Sequence, residues 1–190
     1  MADDAGAIRL LMGHLQSAGH RAIGLISNHP SHAVDQAQIA TWKACCARDA
    51  AHDRLEHRLI VVNSKSHSLV AQSTFDAVSG YLRSSACDVT ALICLSEEMT
   101  WATMAACRAV GRSAPEKMSV VASSDSPLLQ YFNPSVTCVD IHLEQHIEIA
   151  LKLLDAAIQD QPVGERLSLI APSLIIRESV GAPFQGTIFG

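Results

Sequence analysis

The sequence predicts an α/β protein with a doubly wound, mainly parallel sheet flanked by helices. Short apolar runs alternate with longer segments of helical periodicity along most of the chain. The short runs are apolar throughout, rather than at every second position. Strands buried on both faces in this way are typical of parallel strands that carry helices on each side.

The central part of the chain predicts four strands and three helices in alternation. The strands are Ala22–Ile26, Leu59–Val62, Thr90–Leu95 and Met118–Ala122. The helices are Ala33–Ala51, Leu69–Arg83 and Glu98–Val110. Connections of this length between parallel strands are right-handed in nearly all proteins, so the pattern also constrains the topology.

Elements at the two ends lie outside that alternation. A helix over Ile8–Ala18 precedes the first strand and is closed by Gly19, a C-terminal stop signal. After a loop rich in Ser and Pro, the pattern predicts a strand, a helix and two short strands: Val136–Ile141, His142–Gln159, Leu167–Ile170 and Leu174–Arg177. Pro172 separates the last two strands, because proline cannot donate a backbone hydrogen bond.

The composition fits one medium-sized domain, or one lobe of a two-lobed protein. Of the 190 residues 48% are apolar and 17% are charged, and the mean hydropathy is +0.19. This balance excludes an intrinsically disordered chain. The net charge of −5, without a cluster of Lys and Arg, argues against nucleic-acid binding by these residues alone, because phosphate neutralisation needs grouped cations.

Targeting and redox features predict a cytoplasmic protein without membrane contact. No segment reaches the roughly 18 consecutive apolar residues of a membrane helix. The acidic start, with Asp3 and Asp4, is unlike a basic signal peptide. The six cysteines form no C-x-x-C pair and most lie in apolar runs, so we interpret them as reduced, buried thiols.

Five stretches carry short motifs in a fixed order and register. They are His14–Ile23 (HL…GHRxI), Ser96–Met99 (like NDEMA), Ala114–Val121 (like VPEDISVVG), Asn133–Thr137 (like PPLTT) and Leu169–Ser179 (like LxPxLVxRxS). Together they resemble the effector-binding region of the LacI/GalR family of bacterial transcription regulators.

The resemblance implies a periplasmic-binding-protein-like fold of type I, in which two lobes are joined by three crossovers behind an N-terminal helix-turn-helix domain. It assigns residues 1–19 to a helix of the first lobe and 20–135 to the second lobe. It assigns 136–170 to a crossover, helix and strand of the first lobe, 171–180 to a return strand and 181–190 to a tail. Operator DNA would be bound only through the absent N-terminal domain, and an excised fragment is the expected origin of the chain.

Small polar residues follow the predicted strands, where ligands of doubly wound sheets bind. The candidate effector cleft consists of Ser27, Gln38, Asn63, Ser96, Ser124 and Asp125. By the resemblance, Gln38, Ser96 and Ser124 stand where the family usually has Arg, Asn and Asp. Because charged, bidentate groups are missing, we expect no charge-based sugar recognition. A less polar effector, a different binding geometry and the lack of any small effector stay open, and the partner we name is an unknown small-molecule effector.

Metal and enzyme chemistry are the weaker interpretations. His142 and His146 have i, i+4 spacing, but nothing in the sequence nominates further ligands, so we predict a solvated helix start and no metal or other cofactor. Cys45 and Cys46 come late in a helix, where the dipole disfavours a thiolate. Regulatory sensing, not catalysis, is the expected function. A periplasmic-type solute (sugar)-binding protein and a small α/β enzyme of unknown chemistry stay open as alternatives.

Two surfaces predict self-association, expected as a homodimer. By the resemblance, the family pairs through the second lobe, around Trp101, Met104 and Phe132. Loss of the first lobe would also expose the apolar faces of both end helices: Ile8, Leu11 and Leu15 on one, and Leu143, Ile147, Leu151 and Leu154 on the other.

Overall fold

The computed structural model describes residues 3–47, 54–64, 69–159 and 169–186. In these ranges the elements are α1 (Asp4–Ser17), β1 (Ile23–Ser27), α2 (Ala33–Cys46), α3 (Leu55–Arg58), β2 (Leu59–Val61), α4 (Val70–Arg83), β3 (Ala91–Cys94), α5 (Glu97–Ala109), β4 (Ser119–Ala122), a 3₁₀ turn (Leu129–Tyr131), β5 (Thr137–Asp140), α6 (Leu143–Ile158) and β6 (Ser173–Ile175).

The strands form one sheet in the order β2-β1-β3-β4-β5-β6. Neighbouring strands are parallel from β2 to β5, whereas β6 runs antiparallel to β5. The predicted doubly wound, mainly parallel sheet is therefore confirmed. Because the five parallel strands all end at the same edge, the polar residues that follow them are brought to one side of the molecule.

Alternate residues of each strand supply two separate cores. Ile26, Leu92 and Val120 pack with α4 and α5 on one face of the sheet. Leu25 and Ile93 pack with α1 and α2 on the other face. Both sets are fully buried, which explains why the sequence shows no polar alternation along the strands.

The predicted end of the first helix is confirmed at Gly19, which has a φ of 102°. Its amide donates to the Gln16 carbonyl and the His20 amide donates to the Leu15 carbonyl, both at 3.0 Å. This pair of bonds satisfies carbonyls at the helix end, and the left-handed conformation that it needs favours glycine.

The expected exposure of the first helix is wrong. Ile8, Leu11 and Leu15 are fully buried, because α1 packs against α2 and against β5 and β6. An amphipathic pattern shows that one face is buried, but it does not show which element covers it.

The last helix shows the expected exposed face. Leu143, Ile147, Leu151 and Leu154 are each more than half exposed, and α6 has no fully buried residue. The stripe remains without a cover among the residues that the structure describes.

Most predicted elements agree with the structure within three residues at each end. The short helix α3 was not predicted, and α2 ends at Cys46, with residues 48–51 of the predicted helix outside the described ranges. The predicted strand at Leu167–Ile170 also falls partly outside them. In the described part of the chain, no helix is both long enough and apolar enough to cross a membrane.

Candidate functional site

The predicted cleft residues lie at or next to the carboxyl edge of the sheet. Ser27 is the last residue of β1, and Asn63, Ser96 and Ser124 each come two residues after the end of β2, β3 and β4. Gln38 lies on α2, which begins at this edge. The strand-end pattern thus places small polar groups on neighbouring parallel strands, as in ligand sites of this fold class.

A hydrogen bond between β1 and α2 defines one side of this edge. The Ser27 hydroxyl donates to Oδ2 of Asp35 at 2.6 Å, and Ser27 is fully buried. Asp35 lies in the first turn of α2, where the helix dipole stabilises a carboxylate. Sequence reasoning missed Asp35. Its presence means that Ser27 orients a carboxylate and has no surface of its own to offer a ligand.

Gln38 is the candidate with the most unusual environment. It is only 5% exposed, and no hydrogen bond within the described ranges involves its amide. Gln38 follows Asp35 by three residues, so the two side chains lie on the same face of α2. The amide is not among the fully buried, unpaired polar atoms of the described residues, so the small exposed part of the side chain includes it. It can therefore hydrogen-bond with water or with a ligand.

Ser96 and Ser124 contribute differently to the edge. The Ser96 hydroxyl oxygen accepts from the Met99 amide at 3.3 Å and caps the start of α5, which leaves its proton free to donate. Ser124 is half-buried, and the neighbouring Ser123 hydroxyl donates to the Leu95 carbonyl at 3.2 Å. Both candidates therefore keep hydrogen-bonding capacity at the carboxyl edge of the sheet.

Asp125 is not a free carboxylate. Its Oδ1 accepts from both terminal nitrogens of Arg177, each at 3.1 Å, and from the Cys138 thiol at 3.0 Å. The sequence showed Arg177 only as part of the closing motif, because a contact over 52 residues leaves no local signal. The negative charge of Asp125 is thus matched within the protein.

The opposite edge of the sheet holds a buried histidine. Nε2 of His20 lies 3.0 Å from the Gly181 carbonyl, which can only accept, so Nε2 carries the proton. Nδ1 then accepts from the Thr90 hydroxyl at 2.8 Å. The neutral ring joins the start of β1, the start of β3 and the C-terminal segment. Burial lowers the pKa of His20, and it also lowers the pKa of His14.

These two histidines predict a loss of stability in mild acid. Below the ordinary histidine pKa of about 6.5, both histidines bind protons in the unfolded chain but stay neutral to a lower pH in the folded chain. The free energy of unfolding should therefore be highest above about pH 6.5 and fall as the pH drops below it. Urea unfolding near pH 7.5 and pH 5.5 measures this, and His20→Gln should reduce the difference. Equal stability at both pH values would contradict the assignment.

A groove of about 550 Å³ lies between α1 and α2. Arg9, Gly13, Thr41 and Cys45 are among its lining residues, and none of the predicted cleft residues contributes to it. It is therefore a competing location for a small ligand, which an experiment must distinguish from the carboxyl edge.

The predicted interface residues differ in how far their side chains are exposed. Trp101 and Phe132 are half-buried and stack with ring centroids 6.5 Å apart. Tyr131, beside Phe132 in sequence, is 78% exposed. Met104 is 5% exposed and belongs to the core under α5, so it has little surface to offer a partner.

Comparison with known proteins adds the family context. The model of the family described as periplasmic binding protein-like domain matches residues 12–180. The chain is 27% identical over 183 residues to the HTH-type transcriptional regulator reg1 of Streptomyces lividans, which covers 95% of this chain and 51% of that protein. It is 28% identical over 187 residues to the HTH-type transcriptional regulator GalR of Escherichia coli, with the same coverage of both chains.

Solved structures show the same fold. A LacI family transcriptional regulator from Enterococcus faecium, with bound ribose, superposes with a TM-score of 0.79 and 22% identity, over 97% of this chain and 65% of that chain. The chain spans about half the length of the curated relatives it matches. The resemblance to LacI/GalR effector-binding regions is confirmed.

Proposed function

This chain belongs to the periplasmic binding protein-like domain family, and we propose that it forms the effector-sensing and dimerisation portion of a LacI-type transcription regulator. The observation that carries the proposal is the row of polar residues at the carboxyl edge of the parallel sheet. The matched relatives are transcription regulators, which supports sensing rather than catalysis.

The proposed mechanism is a shift between two lobe arrangements. An effector held between this lobe and a second one would favour the arrangement that it contacts best, and would change DNA affinity only by its differential affinity for the two. Operator DNA would be bound in the cytoplasm through a helix-turn-helix domain, and this chain alone should give no sequence-specific shift in a mobility assay.

We assign residues 20–135 and the return strand to the second lobe in this mechanism. The exposed stripe of α6 supports a place for this helix next to the first lobe, because its large apolar side chains are otherwise uncovered. The start of the predicted first-lobe segment 136–170 is placed differently: β5 pairs with β4 and β6 in the sheet of this lobe. The burial of the apolar face of α1 within this lobe favours placing residues 4–17 here as well, and not in the first lobe.

Most candidate groups for effector recognition are neutral or paired. At the carboxyl edge, Gln38, Ser96 and Ser124 are uncharged, and Asp125 is paired with Arg177. The exception is Asp35, whose carboxylate accepts from the Ser27 hydroxyl. A single lobe also supplies only part of a site between two lobes. Calorimetry with ribose, common hexoses and purine bases should therefore give no dissociation constant below about 1 mM, equivalent to roughly −4 kcal/mol.

The matched control for that titration is Gln38→Ala, which removes the amide without touching the charged residues. If a ligand of the panel binds weakly, Gln38→Ala should weaken it further. Micromolar binding of an unmodified hexose to this chain would contradict the proposal that its half of the cleft lacks strong sugar recognition.

A homodimer through the Trp101 surface completes the proposed function. Trp101, Tyr131 and Phe132 form a partly exposed aromatic patch on the lobe itself. The indole Nε1 of Trp101 is buried and has no hydrogen-bond partner among the described residues. Aromatic anchors of this kind are typical of two-fold interfaces, in which the same patch serves both subunits.

A further inference from the structure

We propose that Arg177 is a positioning residue of the cleft, which holds the loop bearing Ser124 (residues 123–126) against β5. The inference rests on the proposed function in one respect: it takes this loop to be part of the effector cleft. The contacts that support it belong to the chain itself and are independent of any ligand.

One guanidinium group connects the loop to β5. Nη1 of Arg177 donates to the Val136 carbonyl at 2.8 Å, to the Cys138 sulfur at 2.9 Å and to Oδ1 of Asp125 at 3.1 Å. Nη2 donates to the same Asp125 oxygen at 3.1 Å. The side chains of Arg177 and Asp125 are 15% and 29% exposed, so water screens the pair in part. Charge-assisted bonds of this type are stronger than neutral ones.

The backbone at Arg177 is fixed as firmly as the side chain. Its amide donates to the Thr137 hydroxyl at 2.9 Å, and the next amide, of Glu178, donates to the Ser135 carbonyl at 3.0 Å. The Ser179 hydroxyl donates to the Val120 carbonyl at the start of β4. The guanidinium therefore extends from a rigid segment, and it can hold a loop in a defined position.

The cluster links the cleft to the last strand of the sheet. Arg177 follows β6 by two residues, and β6 begins at Ser173 opposite Asp140, at the carboxyl edge. The Asp125 loop leaves β4 at that same edge. A displacement of β6 would therefore shift the loop, and a ligand that moves the loop would shift β6.

The pairing also determines which group of the loop an effector meets. Asp125 is used as the counter-ion of Arg177, so its charge is satisfied before a ligand arrives. Ser124, half-buried and next to it, is the polar side chain that the fixed loop leaves for recognition. Release of Asp125 would change both the shape and the charge of this part of the cleft.

The test uses the Cys138 thiol as a local reporter. Cys138 is fully buried beneath the loop, so its alkylation requires the loop to open. In Arg177→Gln and in Asp125→Asn, iodoacetamide labelling of Cys138, followed by peptide mass spectrometry, should be faster than in the parent by about tenfold or more. Cys94 and Cys107 serve as internal controls, because both are fully buried in the core on the α4–α5 face. Their labelling rates should not change.

Using both variants separates loop release from a change in thiol acidity. The pKa of Cys138 is raised to about 12, mainly by burial and also by Asp125, whereas Arg177 acts to lower it. If labelling followed acidity alone, Asp125→Asn would accelerate it and Arg177→Gln would slow it. Acceleration in both variants supports the positioning role. Opposite changes, no change, or equal acceleration of Cys94, Cys107 and Cys138 would overturn it.

A conservative variant guards against misfolding. Arg177→Lys keeps the charge, but one ammonium group cannot replace two guanidinium nitrogens in contacting Asp125, Val136 and Cys138 together. It should label Cys138 at an intermediate rate, and a parental rate would contradict the inference. The labelling experiment needs no effector. A negative labelling result would therefore not contradict the proposed function, and a negative effector titration would not affect the labelling result.

Discussion

Replacement of Trp42 by Ala is expected to lower the free energy of unfolding by about 3–5 kcal/mol. Trp42 is fully buried in the core on the α1–α2 face and packs in one cluster with Ile8, Leu11 and Ile23. Its indole nitrogen also donates to the Ile23 carbonyl at 3.2 Å. Truncation removes the side chain from between helix and sheet and leaves a cavity, so urea unfolding should show a large loss of stability.

Two control variants are compared with Trp42→Ala. Trp42→Phe keeps most of the volume but loses the hydrogen bond, and should cost about 1–3 kcal/mol. Val34→Ala changes a half-exposed residue of the same helix and should stay within roughly 0.5 kcal/mol of the parent. Unfolding of Trp42→Ala at the stability of the Val34 variant would contradict the packing of Trp42 between α2 and the sheet.

Replacement of Trp101 by Asp is expected to convert the proposed dimer into a monomer. Trp101 stacks on Phe132, the sequence neighbour of exposed Tyr131, so the substitution puts a charge into the aromatic patch. A loss of about 3 kcal/mol would weaken the dissociation constant by roughly a hundredfold. Analytical ultracentrifugation of the parent and the variant at tens of micromolar measures this directly.

The matched variant is Leu151→Asp, on the exposed stripe of α6. If the lobe surface governs association, Leu151→Asp should leave the dimer intact. If the uncovered helix governs it, Leu151→Asp should dissociate the dimer and Trp101→Asp should have no effect. A monomeric parent chain at this concentration would contradict both interfaces, because standard-size contacts persist there.

The sheet was predictable because each strand carries its own signal. Runs such as Ala91–Cys94 are apolar on both faces, which only a strand between two helical layers explains. Gly19 and Ser96 were equally predictable, since helix ends need an achiral residue or a capping hydroxyl nearby in sequence.

Contacts between distant residues explain what the sequence did not show. Arg177 meets Asp125 only because β6 returns beside β5, and Asp35 reaches Ser27 only because α2 folds back along β1. The prediction that α1 is exposed was wrong for the same reason. Its amphipathic pattern shows that one face is apolar, but that face can pack against any apolar surface. The proposed roles of the cleft residues stay predictions.

The location of ligand contacts tests the central claim most directly. In a ¹⁵N-labelled sample titrated with ribose, hexoses and purine bases at tens of millimolar, NMR shift changes should cluster at the carboxyl edge, including Ser96, Ser124 and the Gln38 side-chain amide. Changes at Arg9, Thr41 and Cys45 in the groove between α1 and α2, or no response at the carboxyl edge to any of these ligands, would contradict the proposed effector cleft.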